Sequence, residues 1–354
     1  MKDEIQTFGM DDIEMECAKA AGIEAEFAAL SKLKSHFRSE RNEANATSYL
    51  LNPSGNRTLL VHSFDETIPG IEERIKIAQA MINAGIAEQI GVITIPKGSD
   101  DFISVENAGG EFCINSATSA AALLSYNMPY PAQKSVKSSG NENLLECECT
   151  DAPNDKKLVK TNVISHPQIN EFSSRSRGTK DLKHLVEMEG ITHVVGRAST
   201  QDLGSIDPDM QVDIFLRAMR DRMEIVSRSP AAGLILYTKT EKGVEILPTV
   251  GIFDVNPENA SGGTELDRVR NMFATIVKET ACGSGSAAIG MVRTLASVRN
   301  KVLQITQPSG NDFTVRTNYS DGDDSCCHSR IECFAHFVGS VFVNTEKIVA
   351  ESNQ

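Results

Sequence analysis

The chain has 354 residues, 40% of them apolar, and carries 48 acidic against 35 basic side chains for a net charge of −13 at pH 7. That length suits two domains with real cores. The acidic balance lacks the phosphate-neutralising surface that nucleic-acid binding needs, leaving small polar ligands and protein partners.

No stretch reaches the roughly 20 apolar residues of a membrane span, and the opening Met1-Lys-Asp-Glu-Ile-Gln has neither the basic nor the apolar region of a signal peptide. The eight cysteines are irregularly spaced, unlike a secreted disulfide framework, so a cytoplasmic protein with free thiols is expected.

Residues 11–43 are rich in Ala, Glu, Lys and Leu, with Ile13, Cys17, Ala20, Ile23, Phe27, Leu30 and Leu33 near helical spacing. They predict a helical extension over 1–45, a docked or oligomerisation segment. From Thr47 short β-like runs begin. A strand over 58–62 follows the turn Asn52-Pro-Ser-Gly55, a helix over 71–84 ends at Gly85, and strands follow over 91–95 and 102–105. A helix after Cys113 stops near Pro129, and a hairpin turns at Gly140-Asn141.

The second half repeats this order. A strand over 159–164, a polar loop over 170–179, a helix over 181–188 and a strand over 193–195 are expected. After them come a helix over 209–223, strands over 233–237, 244–247 and 272–277, and a helix running from Cys282 to about Val298. The hairpin turn Pro308-Ser-Gly-Asn311 closes the pattern. Strand, cysteine, small residues, helix and hairpin thus recur, which reads as a duplication with both thiols facing a central cleft. The domain reading is 46–157 with the C-terminal strand 336–350 around Cys113, and 158–335 around Cys282.

The two cysteines open the runs Glu111-Phe-Cys113-Ile-Asn-Ser-Ala-Thr-Ser-Ala-Ala-Ala and Glu279-Thr-Ala-Cys282-Gly-Ser-Gly-Ser-Ala-Ala-Ile-Gly. Residues this small and this poor at forming helix are chosen where backbone must approach something. A helix N-terminus adds positive potential, which favours thiolate and a bound carboxylate. Cys17, Cys147, Cys149 and Cys333 read as buried small apolar residues. Cys326-Cys327-His328, with Cys333 and His336, lacks zinc-site spacing and reads as surface thiols flanking a strand, so no metal is expected. From composition Glu88 is a solvated acid and Asn56 a turn residue. No phosphate loop, dinucleotide fingerprint, HExxH or histidine triad appears.

Asn107-Ala-Gly-Gly-Glu-Phe-Cys113-Ile-Asn115 and Ala281-Cys-Gly-Ser-Gly285 resemble the paired motifs of the diaminopimelate epimerase-like superfamily, in order over about residues 48–343. Asn52-Pro-Ser-Gly-Asn56 with the strand behind it, Glu88-Gln89, Gly110-Glu-Phe-Cys113, Glu279 and Gln307-Pro-Ser-Gly310 are similar, more closely, to the histidine racemases of staphylopine-type metallophore pathways. The Glu-Arg pair that holds the distal carboxylate in diaminopimelate epimerases is absent; Val277-Lys-Glu-Thr280 stands there. Ile114 replaces the glycine that usually follows the first cysteine, placing a branched side chain where backbone would meet the substrate carboxylate.

The resemblance implies an α/β (α+β) fold of two pseudo-symmetric domains, each a β-sheet wrapped around a central helix. It implies a racemase without cofactor or metal, in which Cys113 and Cys282 exchange protons at an α-carbon. Asn56, Glu88, Ile114, Asn115, Gly283 and Ser284 become the expected substrate-binding residues, the partner a free amino acid, and a homodimer the expected assembly. Histidine is the leading substrate. Another amino acid, a same-fold isomerase, or a non-catalytic metal- or thiol-binding protein are the alternatives.

Overall fold

A computed structural model describes residues 46–63, 68–96, 101–126, 131–176, 179–256, 263–296, 301–320 and 323–343. The expected N-terminal helices lie outside these residues. The first half runs β1 (Ala46–Pro53), β2 (Thr58–Ser63), α1 (Ile71–Asn83), β3 (Gln89–Thr94), β4 (Phe102–Asn107), α2 (Ile114–Ser125), β5 (Ala132–Ser138), β6 (Leu145–Ala152) and β7 (Lys156–Ser165). The second half begins β8 (Gln168–Ser176), β9 (Thr179–Met188), β10 (Ile191–Arg197), α3 (Thr200–Gly204), α4 (Pro208–Arg220), α5 (Met223–Val226), β11 (Ala231–Lys239) and β12 (Val244–Phe253). It ends α6 (Glu265–Arg270), β13 (Phe273–Lys278), α7 (Gly283–Leu295), β14 (Lys301–Thr306), β15 (Asp312–Ser320) and β16 (Asp323–Val343).

β1 to β7 pair in sequence order, and β16 joins β7 to β1, so these strands close a ring. α2 runs inside that ring and touches each of its strands. Its sequence permits this because it is mostly Ala, Ser and Thr, buried nearly all round. The facing strands alternate to match: Ala132, Lys134, Val136 and Ser138 of β5, Leu145, Cys147 and Cys149 of β6, and Lys157, Val159, Thr161, Val163 and Ser165 of β7 are the buried residues. In the second half β8 to β12 continue through β14 and β15 to the same β16, with β13 next to β14 on the edge of β12 opposite β11. α7, again small and buried along its length, packs on β14, β15 and β16 and on β9, β10 and β11. The two halves therefore repeat one plan, a sheet around a helix that begins at a cysteine. Among the described residues no helix is long and apolar enough to cross a membrane.

Three expectations fail in the second half. Residues 170–176 of the expected loop lie in β8 and Thr179 in β9, and 181–188, expected as a helix, continue β9. Val195 pairs with His184 and the next residue, Gly196, with Leu182, so Lys183 bulges out of the ladder. The bulge puts Leu182 and Leu185 on one buried face while Val186 lies buried on the other. Their i, i+3, i+4 spacing imitates a helix. Likewise Cys326, Cys327 and His328 lie within β16 rather than beside a strand, and Cys327 is buried because β16 is covered by both halves. Cys147, Cys149 and Cys333 are buried as expected.

Two turns hold the approach to Cys113. Gly140 closes β5–β6 at φ +70° and Gly190 closes β9–β10 at φ +72°. A Cβ on Gly190 would lie 2.6 Å from the Gly140 Cα and 2.8 Å from the Phe112 nitrogen. Both glycines are needed for their dihedrals and for this backbone-to-backbone contact between the halves.

Candidate active site

Cys113 and Cys282 are the N-caps of α2 and α7, with nearly identical backbone: φ −134°, ψ 114° and φ −131°, ψ 106°. Each sulfur accepts from the amide three residues on, Ser116 N–H at 3.5 Å and Gly285 N–H at 3.3 Å. The sulfur thus takes the role a capping oxygen normally fills. The two helix starts meet. A Cβ on Gly283 would lie 2.7 Å from the Ile114 Cβ, so Ile114 fills the space that Gly283 vacates across the contact and is itself buried.

Asn56 and Asn115 spend their side-chain amides on one acceptor, the Ala281 carbonyl, at 3.1 and 2.9 Å. They fix the residue before Cys282 from the other half of the molecule. Gln307 accepts from the Cys282 amide at 2.9 Å and donates to Ser286 and Ile305. The turns Asn52-Pro-Ser-Gly-Asn56 and Gln307-Pro-Ser-Gly-Asn311 meet beneath this motif, where the Ser309 hydroxyl donates to the Ser54 carbonyl at 2.7 Å.

Glu88 is not a solvated acid. It accepts from the Thr280 amide at 2.8 Å, the Thr280 hydroxyl lies 2.9 Å from both its oxygens, and Arg57 stands 4.0 Å away. This tertiary contact draws it inward, where it lines a small cleft together with Gln89, Glu111, Cys113, Glu279 and Ser284. Phe112, Ile191, Val250, Ile252 and Val277 form the apolar wall. Glu111 is fully engaged, accepting from Gln89 at 2.9 Å and from the Gly109 amide at 2.8 Å. Glu279 is buried, and its Oε2 has no partner among the described residues.

Burial governs the protonation of this site. It pushes Glu88 and Glu111 above the ordinary carboxylate value, and it pushes Glu279, beside those two charges, up to about 8. It likewise drives the Cys113 thiol up to about 12, with the Glu279 charge adding to it, and the Cys282 thiol well above its ordinary value. The expectation that helix starts hold these sulfurs as thiolates is therefore reversed. The Ser116 and Gly285 amides pull in that direction, but loss of water outweighs them.

His193 is a residue the sequence offered only as part of a strand. Its Nε2 lies 3.1 Å from the Ser284 hydroxyl, which is 3.7 Å from the Cys282 sulfur. Gly233, its register partner on β11, leaves room for the ring, and a glycine inside a buried strand was the available signal. Burial depresses His193 to about 3, so the ring is neutral. The amides of Ile114, Asn115, Gly283 and Ser284 stand in the first turns, ahead of the first intrahelical acceptors. Among the described residues no three His, Cys, Asp or Glu side chains gather as a metal site.

Paired N-cap thiols over an acidic cleft are what the family comparison meets. Residues 48–256, more than half the chain, match the histidine racemase CntK N-terminal domain. The chain belongs to the histidine racemase CntK family. A histidine racemase of Fusobacterium nucleatum subsp. nucleatum is 30% identical over 153 residues, 41% of this chain and 52% of that protein, so the match spans about half the relative's length. Among solved structures, a hydroxyproline epimerase from Agrobacterium vitis with bound trans-4-hydroxy-L-proline superposes with a TM-score of 0.59 at 12% identity, covering 86% of this chain and 94% of that one. A probable proline racemase from Agrobacterium radiobacter K84 gives 0.58 at 10% identity, over 83% and 92%. A PhzF-family phenazine biosynthesis protein from Bacillus anthracis gives 0.56 at 11%, over 84% and 99%. These likenesses show the fold, two pseudo-symmetric units of mixed α and β structure.

Proposed function

We propose that the protein racemises a free α-amino acid without pyridoxal phosphate or metal, with histidine as its substrate and the D-enantiomer supplied to an opine-type metallophore pathway. The observation that carries this reading is the equivalence of Cys113 and Cys282, two thiols in matching backbone settings at facing helix starts. One sulfur, as thiolate, removes the α-proton; the other delivers a proton to the opposite face, which inverts the centre. The α-hydrogen is weakly acidic, so the carboxylate must meet fixed donors as charge develops on it. The free amides of the first turns of α2 and α7, at Ile114, Asn115, Gly283 and Ser284, suit that task. The acidic wall of Glu88, Glu111 and Glu279 suits the ammonium group and a basic side chain, while the apolar wall excludes water and strengthens both fields. Asn56 and Asn115 act on the reaction through Ala281, by holding the second cysteine in place.

Incubation of the protein with each L-amino acid, followed by chiral chromatography, tests the reading, with Cys113→Ser and Cys282→Ser alongside. Inversion of histidine, abolished in both variants, is the expected result. Inversion of another amino acid would keep the chemistry and move the substrate. No inversion of any, or inversion that survives both substitutions, would overturn it.

A further inference from the structure

A buried thiol becomes a base only if something takes its proton. Among the described residues the polar groups beside the Cys282 sulfur are the Gly285 amide at 3.3 Å, the Ser284 hydroxyl at 3.7 Å and the carboxyl of Glu279, three residues upstream. The amide is only a donor. Behind the hydroxyl stands His193, held neutral by burial and unable to keep a proton near neutral pH. Of the carboxyls in the cleft, both oxygens of Glu111 are occupied by Gln89 and Gly109, and both of Glu88 by Thr280. Glu279 differs. It is 6% exposed, lines the same cleft as Cys113, has an unpartnered Oε2, and its charge is felt at both sulfurs.

Resting on the racemase reading, we propose that Glu279 is the proton carrier of the thiol pair, taking the proton of the sulfur that is to act as base and returning it to the sulfur that has acted as acid. In one direction the S–H bond of Cys282 breaks and an O–H bond forms on Glu279. The resulting thiolate takes the substrate's α-proton, the electron pair remaining on the α-carbon and its carboxylate. Cys113 S–H then protonates the opposite face and is left as thiolate, and the Glu279 proton passes to it, restoring every group. In the other direction the sulfurs exchange roles.

The groups facing Glu279 are Glu88 with Arg57 behind it, Glu111, Cys113 and Cys282, with His193 one step away behind Ser284. Together with burial, the two neighbouring carboxylates hold Glu279 at about 8. Since only the ionised carboxyl can accept the thiol proton, activity in the free enzyme rises with pH through that value.

The test is kcat/KM against pH for both enantiomers in wild type and Glu279→Gln, with carboxyl-carbon NMR of the wild-type glutamates. The expected outcome is a loss of about 100-fold or more in both directions, with the rise near pH 8 gone. One glutamate should titrate near that pH, and its midpoint should move in Cys282→Ser. A variant that retains the pH rise, whatever its rate, would overturn the carrier role while wild-type inversion left the racemase reading standing. A wild-type protein that inverts no amino acid would overturn both.

Discussion

The side-chain amide of Asn56 donates to the Ala281 carbonyl across 225 residues of sequence, and Asn115 donates to the same oxygen. The first half of the molecule thereby sets the backbone that presents the second thiol. Asn56→Ala leaves a buried acceptor short of one donor, so a loss of about 1–2 kcal/mol in unfolding free energy is expected. On the racemase reading, kcat falls more than KM rises, because the residue acts on the reacting sulfur rather than on the substrate. Denaturant unfolding and steady-state kinetics of that one variant check both.

Gly190 and Gly140 touch through their backbones beneath Phe112. Gly190→Ala must move one turn or the other and also carries a side chain at φ +72°. A destabilisation of about 2 kcal/mol or more is expected. Gly204→Ala, with nothing within 4 Å of the added methyl, serves as the neutral control. Thermal unfolding of the two variants measures the contrast.

Ile114 and Gly283 form a large-and-small pair at the meeting of the helix starts. Gly283→Ala alone forces the helices apart and is expected to lower both stability and turnover. Ile114→Gly in the same chain returns the space, so the double variant should recover part of the loss. A double-mutant cycle with no coupling would show that the two do not share one site.

Stability should depend on pH through two buried groups of opposite sign. His193 lies at about 3 in the fold against an ordinary 6.5, so its contribution is full above 6.5 and is lost as pH falls toward 3. Glu279 lies at about 8 against 4.5, so its contribution is full below 4.5 and is lost as pH rises toward 8. Between 4.5 and 6.5 they oppose each other. Above 6.5 Glu279 acts without that offset, which costs about 2 kcal/mol by pH 8. Glu279→Gln should flatten the unfolding free energy over that upper range.

Much of this architecture is legible in the residues themselves. Small side chains behind Cys113 and Cys282 announce two buried helices, and their repetition announces two like units. What escapes is set by tertiary contact. One bulged residue at Lys183 gives a strand the spacing of a helix. Glu88 looks solvated until Thr280 is brought beside it, and the helix-start argument for thiolates omits how completely the fold strips water from both sulfurs. His193 has no local signal except the glycine on the neighbouring strand.

The chemistry is tested most directly by isotope placement. With an L-substrate in deuterium oxide at low conversion, two sulfurs on opposite faces require that the D-product carry deuterium at its α-carbon while the remaining L-substrate keeps its protium. A D-product that retains the original α-hydrogen would show one group serving both faces and would contradict the two-thiol mechanism.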